Sequence, residues 1–359
     1  MIMTHSMLRF KFLKTTLFWG LLLTVVFAAC KKDSAPPPVP VVKTALQDTI
    51  NVALAIYNVT AEGTKPGQYE VGSRTTLKTA IDAANAVLAD GTSTQQQVTS
   101  AAANLHAAIV AYQSHYITEI SPANLLGFWK FNGNTADSSG NGRDGVATQG
   151  HAYYGAGNIV ATADRFGRSG MAYHFDLGGN VEIPYSSALN PQQMTISMWS
   201  KKSSIVRSLN SDTYTLMSLN RWNGFKLQYQ SANKIFMTVK GVNGTDTAYY
   251  DRDDEVAVLD NDVWYHVVVT FKPGEMDFYI NGDLVKSWTN TPNAAITLGT
   301  PINLVIGQDL PTSKYLTVDG DFQVAWGGFF TGDIDDVMFY NIALNGPQVK
   351  SIFTNQSTL

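Results

Sequence analysis

Gly332-Asp333-Ile334-Asp335-Asp336-Val337-Met338-Phe339-Tyr340-Asn341-Ile342-Ala343-Leu344 is a run of alternating character with three acids at its head. Successive side chains of a strand point to opposite faces. The run therefore predicts a strand with Ile334, Asp336, Met338 and Tyr340 on one face and Asp335, Val337 and Phe339 on the other. An apolar strand that opens on clustered carboxylates needs groups to compensate them. About two hundred residues earlier, Phe128-Trp129-Lys130-Phe131-Asn132-Gly133-Asn134-Thr135-Ala136-Asp137-Ser138-Ser139-Gly140-Asn141-Gly142-Arg143-Asp144-Gly145 offers an aromatic strand running into a polar loop. The two stretches read as ends that would close one domain.

Between them, helical periodicity is missing and short β-rich runs alternate with Gly, Asn and Asp clusters. The strand candidates are 127–131, 172–175, 180–183, 194–200, 214–218, 224–230, 234–239, 264–271, 275–280, 283–287, 303–306 and 332–340. Many short strands punctuated by turns predict an antiparallel sandwich or barrel. The clearest hairpin turns at Asn281-Gly282, a pair that accepts the positive φ angles of a type I′ turn.

The order of these pieces resembles the laminin-G-like, concanavalin A-like jelly roll. The carrying blocks are 128–134 with 137–142, Asp164-Arg165-Phe166-Gly167, Ala172-Tyr173-His174-Phe175-Asp176, 194–200, 264–271, 278–282 and 332–341. The resemblance implies two stacked antiparallel sheets whose first and last strands lie close together, over residues 122–359. Two segments, 245–262 and 308–330, look like insertions. It also implies a structural calcium tying the terminal strands, held by Asp137, carbonyls of 138–141 including those of Ser139 and Asn141, and Asp335 or Asp336. The competing reading has Asp137 capping a turn and the C-terminal acids accepting backbone N–H bonds.

Sandwiches of this type include glycoside hydrolases carrying Glu-x-Asp-x-x-Glu on one strand. Glu275-Met276-Asp277-Phe278-Tyr279-Ile280 begins that way but has Ile280 in place of the last acid, so no catalytic residues are expected. His174 and His266 sit within strands and read as structural imidazoles. Sugar binding calls for aromatic faces on loops, with polar groups for hydroxyls. Trp129, Trp199 and Trp264 read as core, whereas Trp222, Tyr249, Tyr250 and Trp326 are the binding candidates, with Arg221, Asn223, Asp251 and Arg252 as hydrogen-bonding partners.

Upstream, Leu46, Ile50, Ala53 and Tyr57, then Leu77, Ile81, Ala84 and Leu88, then Val98, Ala101, Leu105, Ile109 and Tyr112 recur at helical spacing. Three amphipathic helices over 43–117 follow, with Ser73 as a cap of the second and a capping box at Ser93/Gln96 or Thr94/Gln97. The blocks Gly67-Gln68-Tyr69-Glu70-Val71-Gly72-Ser73, Leu77, Ala80-Ile81, Leu105 and Tyr112 resemble the FIVAR-type three-helix module, which implies a spacer. His106 and His115 read as solvated helix residues.

The first 29 residues carry Arg9, Lys11 and Lys14 before an apolar run from Leu17 to Phe27, the pattern of a secretory signal and too short for a membrane span. Ala28-Ala29-Cys30 resembles a bacterial lipobox, with Phe27 where Leu is usual, and so implies lipidation at Cys30. In the following linker (30–42), Ser34-Ala35-Pro36-Pro37-Pro38-Val39-Pro40 reads as a polyproline II spacer about 20 Å long at roughly 3.1 Å per residue. With Cys-Lys-Lys-Asp at 30–33 it looks like a surface lipoprotein of the Bacteroidetes type, lipid-anchored at the outer membrane or cell surface, with the periplasmic face as the alternative.

The single cysteine rules out an intramolecular disulfide and a cysteine-based zinc site. Formal net charge is −4, and loss of Arg9, Lys11 and Lys14 leaves 22 basic residues against 29 acidic, net −7. With no basic stripe, nucleic acid is not an expected partner. The expectation is a lipid-anchored envelope protein whose sandwich binds glycan or polysaccharide without cleaving it, alongside polysaccharide-utilisation or adhesion proteins. The rival readings are an adhesion or scaffold protein for protein or matrix ligands, and a divergent glycoside hydrolase or polysaccharide lyase.

Overall fold

The computed structural model describes residues 39–205, 214–298, 300–315 and 328–358, and residues 42–359 form one compact unit. The signal, Cys30, residues 34–38 of the proline segment and Trp326 lie outside the described residues.

Three helices come first: α1 (Thr44–Val59), α2 (Ser73–Ala89) and α3 (Gln95–Ser114). The apolar positions spaced three and four apart meet in one core of Leu46, Ile50, Ala53, Leu77, Ile81, Ala84, Val98, Leu105, Ile109 and Tyr112. Of the two capping boxes considered for α3, Thr94 with Gln97 forms. Ser73 does not cap α2. Gly72 holds that position at φ 94°, and Ser73, already inside the helix, donates from Oγ to the Glu70 carbonyl at 2.6 Å. His106 is exposed, and His115 pairs with Glu70.

The rest is a jelly-roll sandwich of two antiparallel sheets, each of eight strands among the described residues. The first sheet runs β13 (Asp283–Trp288), β12 (Glu275–Ile280), β11 (Tyr265–Lys272), β6 (Met194–Lys202), β16 (Gly332–Tyr340), β4 (Ala172–Phe175) and β3 (Val160–Thr162). β1 (Leu125–Trp129) also pairs with β16. The second runs β10 (Asp246–Asp253), β9 (Lys234–Asn243), β8 (Phe225–Gln230), β7 (Tyr214–Leu219), β15 (Leu304–Ile306), β5 (Asn180–Ile183) and β2 (Val146–Thr148), with β14 (Ala294–Ala295) on β9. The two stretches expected to close the domain do so, since Trp129 pairs with Val337 and Phe128 with Met338.

Three features differ from the sequence reading. β2, β3 and β14 are two or three residues long, too short for alternation to show. The supposed insertion at 245–262 contains β10, an eight-residue edge strand paired along the whole of its length with β9. The third concerns β16, whose faces do not alternate strictly. Asp335 pairs with Trp199 but Met338 with Ser197, so three steps on β16 span two on β6. The extra residue is a β-bulge with Asp336 at φ 48°. Past it the parity flips: Ile334, Val337 and Phe339 all enter the core, while Met338 and Tyr340 pack on the outer side.

The Asn281-Gly282 hairpin forms as expected, with φ of 52° and 80° and Ile280 opposite Asp283. Between the sheets lies a core that includes Trp129, Phe131, Phe175, Phe225, Phe271, Phe278 and Phe339. Trp199, although buried, belongs to the outer face of the first sheet. There it stacks on Phe353 of the C-terminal helix α4 (Gly346–Gln356), centroids 5.8 Å apart, and donates from Nε1 to Gln356 at 3.0 Å. Val349 of α4 packs with Val268, Tyr279, Tyr340 and Leu344 on that same face. Trp264 is only half-buried, with Lys201 over its ring.

A candidate carbohydrate cleft on the second sheet

Strand alternation decides what the outer face of the second sheet carries. On β8, Phe225, Leu227 and Tyr229 enter the core, which turns Lys226 and Gln228 outward. On β9, Ile235, Met237 and Val239 point inward, leaving Phe236, Thr238 and Lys240 outside. The register Tyr249↔Lys240 and Asp251↔Thr238 brings Tyr249 and Asp251 of β10 onto the same outer face. Trp222, in the 3₁₀ turn Arg221–Asn223 between β7 and β8, closes one end. These residues line a cavity of about 330 Å³: Trp222, Lys226, Gln228, Phe236, Thr238, Tyr249 and Asp251.

The walls are fixed by specific bonds. Thr238 Oγ1 donates to Asp251 Oδ1 at 2.8 Å. Asn223 Oδ1 accepts from Tyr249 Oη at 3.3 Å and from Lys240 Nζ at 3.2 Å. Asn220 and Arg221 hold positive φ, 61° and 56°, a conformation that survives only where surrounding contacts enforce it. Here the enforcing contact is a buried ion pair: Arg221 Nε lies 2.6 Å from Asp309 Oδ2, and Tyr315 donates its hydroxyl to the same carboxylate. Burial alone would lower the Arg221 pKa, but Asp309 outweighs it and keeps the guanidinium charged. That guanidinium sits 4.7 Å from the Trp222 ring centroid and so orients the tryptophan.

The floor is less satisfied. Lys226 is only 7% exposed and makes no hydrogen bond or ion pair with the described residues; Trp222, 5.7 Å from its ammonium, is its aromatic neighbour. Burial pushes its pKa down. Gln228 Oε1 and, opposite it on β7, Thr215 Oγ1 have no hydrogen-bond partner among the described residues.

Of the residues expected to bind a ligand, Trp222, Tyr249 and Asp251 line this cavity, and Asn223 braces it. Arg221 is a correction in role: at 2% exposure it serves the wall as an ion pair. Tyr250 and Arg252 are corrections in place. Strand parity turns them to the opposite face of β10, where Arg252 donates to the Asn290 carbonyl at 2.7 Å and lies 5.0 Å from the Trp288 ring of the first sheet. Lys226, Gln228, Phe236 and Thr238 went unrecognised. Their alternation with core residues is visible in Phe-Lys-Leu-Gln-Tyr-Gln (225–230) and Lys-Ile-Phe-Met-Thr-Val (234–239), but an outward face of this kind by itself reads as solvated.

The acids of β16 meet a cation of the chain itself. Arg165 donates from Nη1 to Asp335 at 2.6 Å, from Nη2 to Asp336 at 2.9 Å and from Nε to the Gln356 carbonyl at 3.0 Å, while lying 4.6 Å over Trp199. The bulge is what allows consecutive carboxylates to reach one guanidinium. Burial and the adjacent Asp336 push Asp335 up to about 8 against the pull of Arg165, and burial also raises Asp336. Asp137 caps its loop. Oδ1 accepts from the N–H groups of Phe128 and Ser139, and Oδ2 from Ser139 Oγ and the N–H of Arg143. Burial would raise this carboxyl, but those four bonds hold it below the usual range. Asn141 Nδ2 donates to the Leu125 carbonyl at 2.7 Å. A donor set that already fills both oxygens of Asp137, with a guanidinium on Asp335 and Asp336, does not fit a calcium ion, which needs free carboxylate oxygens.

Elsewhere on the first sheet, His174 Nδ1 lies 2.6 Å from Asp333, whose other oxygen meets Lys201 at 2.7 Å, and this pairing raises the imidazole. His266 shares a 2.9 Å hydrogen bond with Ser197 and is driven by burial down to about 3. Glu275 pairs with Lys272 at 2.6 Å on β12, in the sheet opposite the cavity.

Residues 175–350 match the model of the concanavalin A-like lectin/glucanases superfamily. The match runs from the end of β4 into α4 and so falls on the two-sheet antiparallel jelly roll described above. A stretch of 82 residues, 23% of the chain, is 39% identical to a gellan lyase of Bacillus sp, of which it spans 3%. Among solved structures, similarity extends to domain 4 of AbnA, a GH43 extracellular arabinanase from Geobacillus stearothermophilus in complex with arabinotriose, at 21% identity over 64% of this chain and 98% of that one, TM-score 0.45. It extends also to the binding domain of Paraclostridial Mosquitocidal Protein 1, at 15% identity over 66% and 53% of the two chains, TM-score 0.47.

Arg165→Met takes the cation away from the buried pair Asp335 and Asp336 and is expected to cost about 3–5 kcal/mol in urea unfolding, whereas Asp335→Asn leaves Arg165 paired with Asp336 and should cost far less. The raised Asp335 pKa means that its contribution is full below about pH 4 and is lost as pH rises through about 8. The Asn variant should flatten that slope; equal losses in both variants would refute the shared-cation account. Thermal melting in EDTA and in calcium chloride is expected to give the same midpoint, and a calcium-dependent rise with metal retained by the purified protein would contradict the fit described above.

Proposed function

We propose that the sandwich binds carbohydrate without cleaving it, in the cleft between Trp222 and Tyr249. The observation that carries this reading is the combination of two aromatic walls with a polar floor, the Lys226 ammonium and Gln228, whose Oε1 has no hydrogen-bond partner among the described residues, in a concave site of about 330 Å³. The match to a superfamily of lectins and glucanases agrees with it. Aromatic rings take the apolar face of a sugar, and the polar floor takes its hydroxyls. Lipidation at Cys30 would hold the protein on a bacterial envelope, with the proline segment and the helices at 43–117 as spacers and polysaccharide-handling or adhesion proteins as neighbours.

Affinity electrophoresis through polysaccharide gels tests the binding. At least one gel should retard the protein, and Trp222→Ala should weaken retention about tenfold or more, equivalent to roughly 1.4 kcal/mol, with unchanged melting. Retention of no polysaccharide would refute the reading, and release of reducing ends or unsaturated products would overturn its non-catalytic part. For the anchor, Cys30→Ser should move the protein from the membrane pellet to the soluble fraction; a variant still sedimenting with membranes would exclude lipidation as the tether.

A further inference from the structure

We infer that the cleft is selective for acidic glycans, with the Lys226 ammonium receiving the carboxylate of a sugar acid; this rests on the carbohydrate reading above. A lysine between core-facing Phe225 and Leu227 has its direction fixed by strand parity. Its neighbours then bury it until 7% remains exposed. Lysines so deeply buried ordinarily come with a carboxylate, because desolvating an ammonium is costly. Two acids act on it from beyond ion-pair distance: Asp309, which is paired with Arg221 and accepts from Tyr315, and Asp251, which accepts from Thr238 through one oxygen.

The balance of charge supports the same reading. The ion pair Arg221–Asp309 is neutral as a unit, which leaves Lys226 and Lys240 against Asp251 around the cavity. This local excess of positive charge sits on a chain of net charge −4, so it is a feature of the site and not of the composition. Gln228, on the same strand as Lys226, has an Oε1 with no hydrogen-bond partner among the described residues and is placed to accept a ring hydroxyl. An ammonium and an acceptor side by side match a carboxylate and an adjacent hydroxyl of one ring, with Trp222 at its edge. The anion would restore to Lys226 the partner that burial demands.

The test uses gels of polygalacturonate, alginate and hyaluronan, each beside its carboxyl-reduced counterpart, together with dextran sulfate. The protein should bind at least one uronate polymer about tenfold more tightly than the reduced form. Lys226→Met should abolish that preference, keep residual binding to the reduced polymer, and melt no lower than wild type, because it removes an unpaired buried charge. Lys226→Gln provides a second uncharged variant should the first not fold. Equal retention of acidic and reduced polymers, or a preference that survives in the variants, overturns the acidic selectivity and leaves carbohydrate binding intact. Binding of dextran sulfate but of no uronate overturns the carboxylate assignment. Binding of no polymer, acidic or neutral, overturns both readings.

Discussion

The bidentate hold of Arg165 on Asp335 and Asp336 is the constraint around which the sandwich is arranged. β16 lies inside the first sheet, paired with β6 on one side and shared on the other between β4 at 332–334 and β1 at 337–340. The change of partner coincides with the bulge. An extra residue there would leave two consecutive carboxylates in a desolvated place, and each would be expensive without a cation. Arg165 supplies that cation from the loop after β3, and its third donor reaches the last turn of α4 at Gln356. One side chain therefore links the chain's closing strand, a distant loop and the C-terminal helix.

The two sheets end up with different outer faces for a related reason. On the first, Trp199, His266 and Val268 are covered by Phe353 and Val349 of α4. The helix packs on apolar and aromatic groups there, and His266, sealed from water, is kept neutral. On the second, the outward residues of β8, β9 and β10 are polar or aromatic, and Trp222 and Tyr249 rise at the sides of a concavity. The buried Arg221–Asp309 pair holds a strained turn in place, so that Trp222 is oriented before any ligand arrives, which lowers the ordering cost of binding.

Much of the fold was legible because local rules sufficed. The Asn281-Gly282 turn, the three helical stripes and the Thr94–Gln97 capping box each depend on residues a few positions apart. The cleft was half legible. Trp222, Tyr249 and Asp251 stood out as aromatic and polar residues among turn signals, and they do meet. Tyr250 and Arg252 stood out equally but face the other way, because the segment is a strand and alternation separates neighbours in sequence. Lys226 carried no signal at all: an outward lysine on a strand is unremarkable until its burial and lack of a partner are known.

The sequence by itself determined the order of helices and strands, the all-β antiparallel class of the larger part, the hairpin register and the apolar faces, since these follow from spacing and backbone preference over short ranges. Only the tertiary structure decided that β16 changes parity at Asp336, that Arg165 answers the acids of the closing strand, and that Lys226 lies buried beside Trp222 with no ion pair among the described residues. Those outcomes depend on side chains more than a hundred residues apart competing for the same buried charge, or on desolvation by strands distant in the chain, and neither is written into any one stretch of residues.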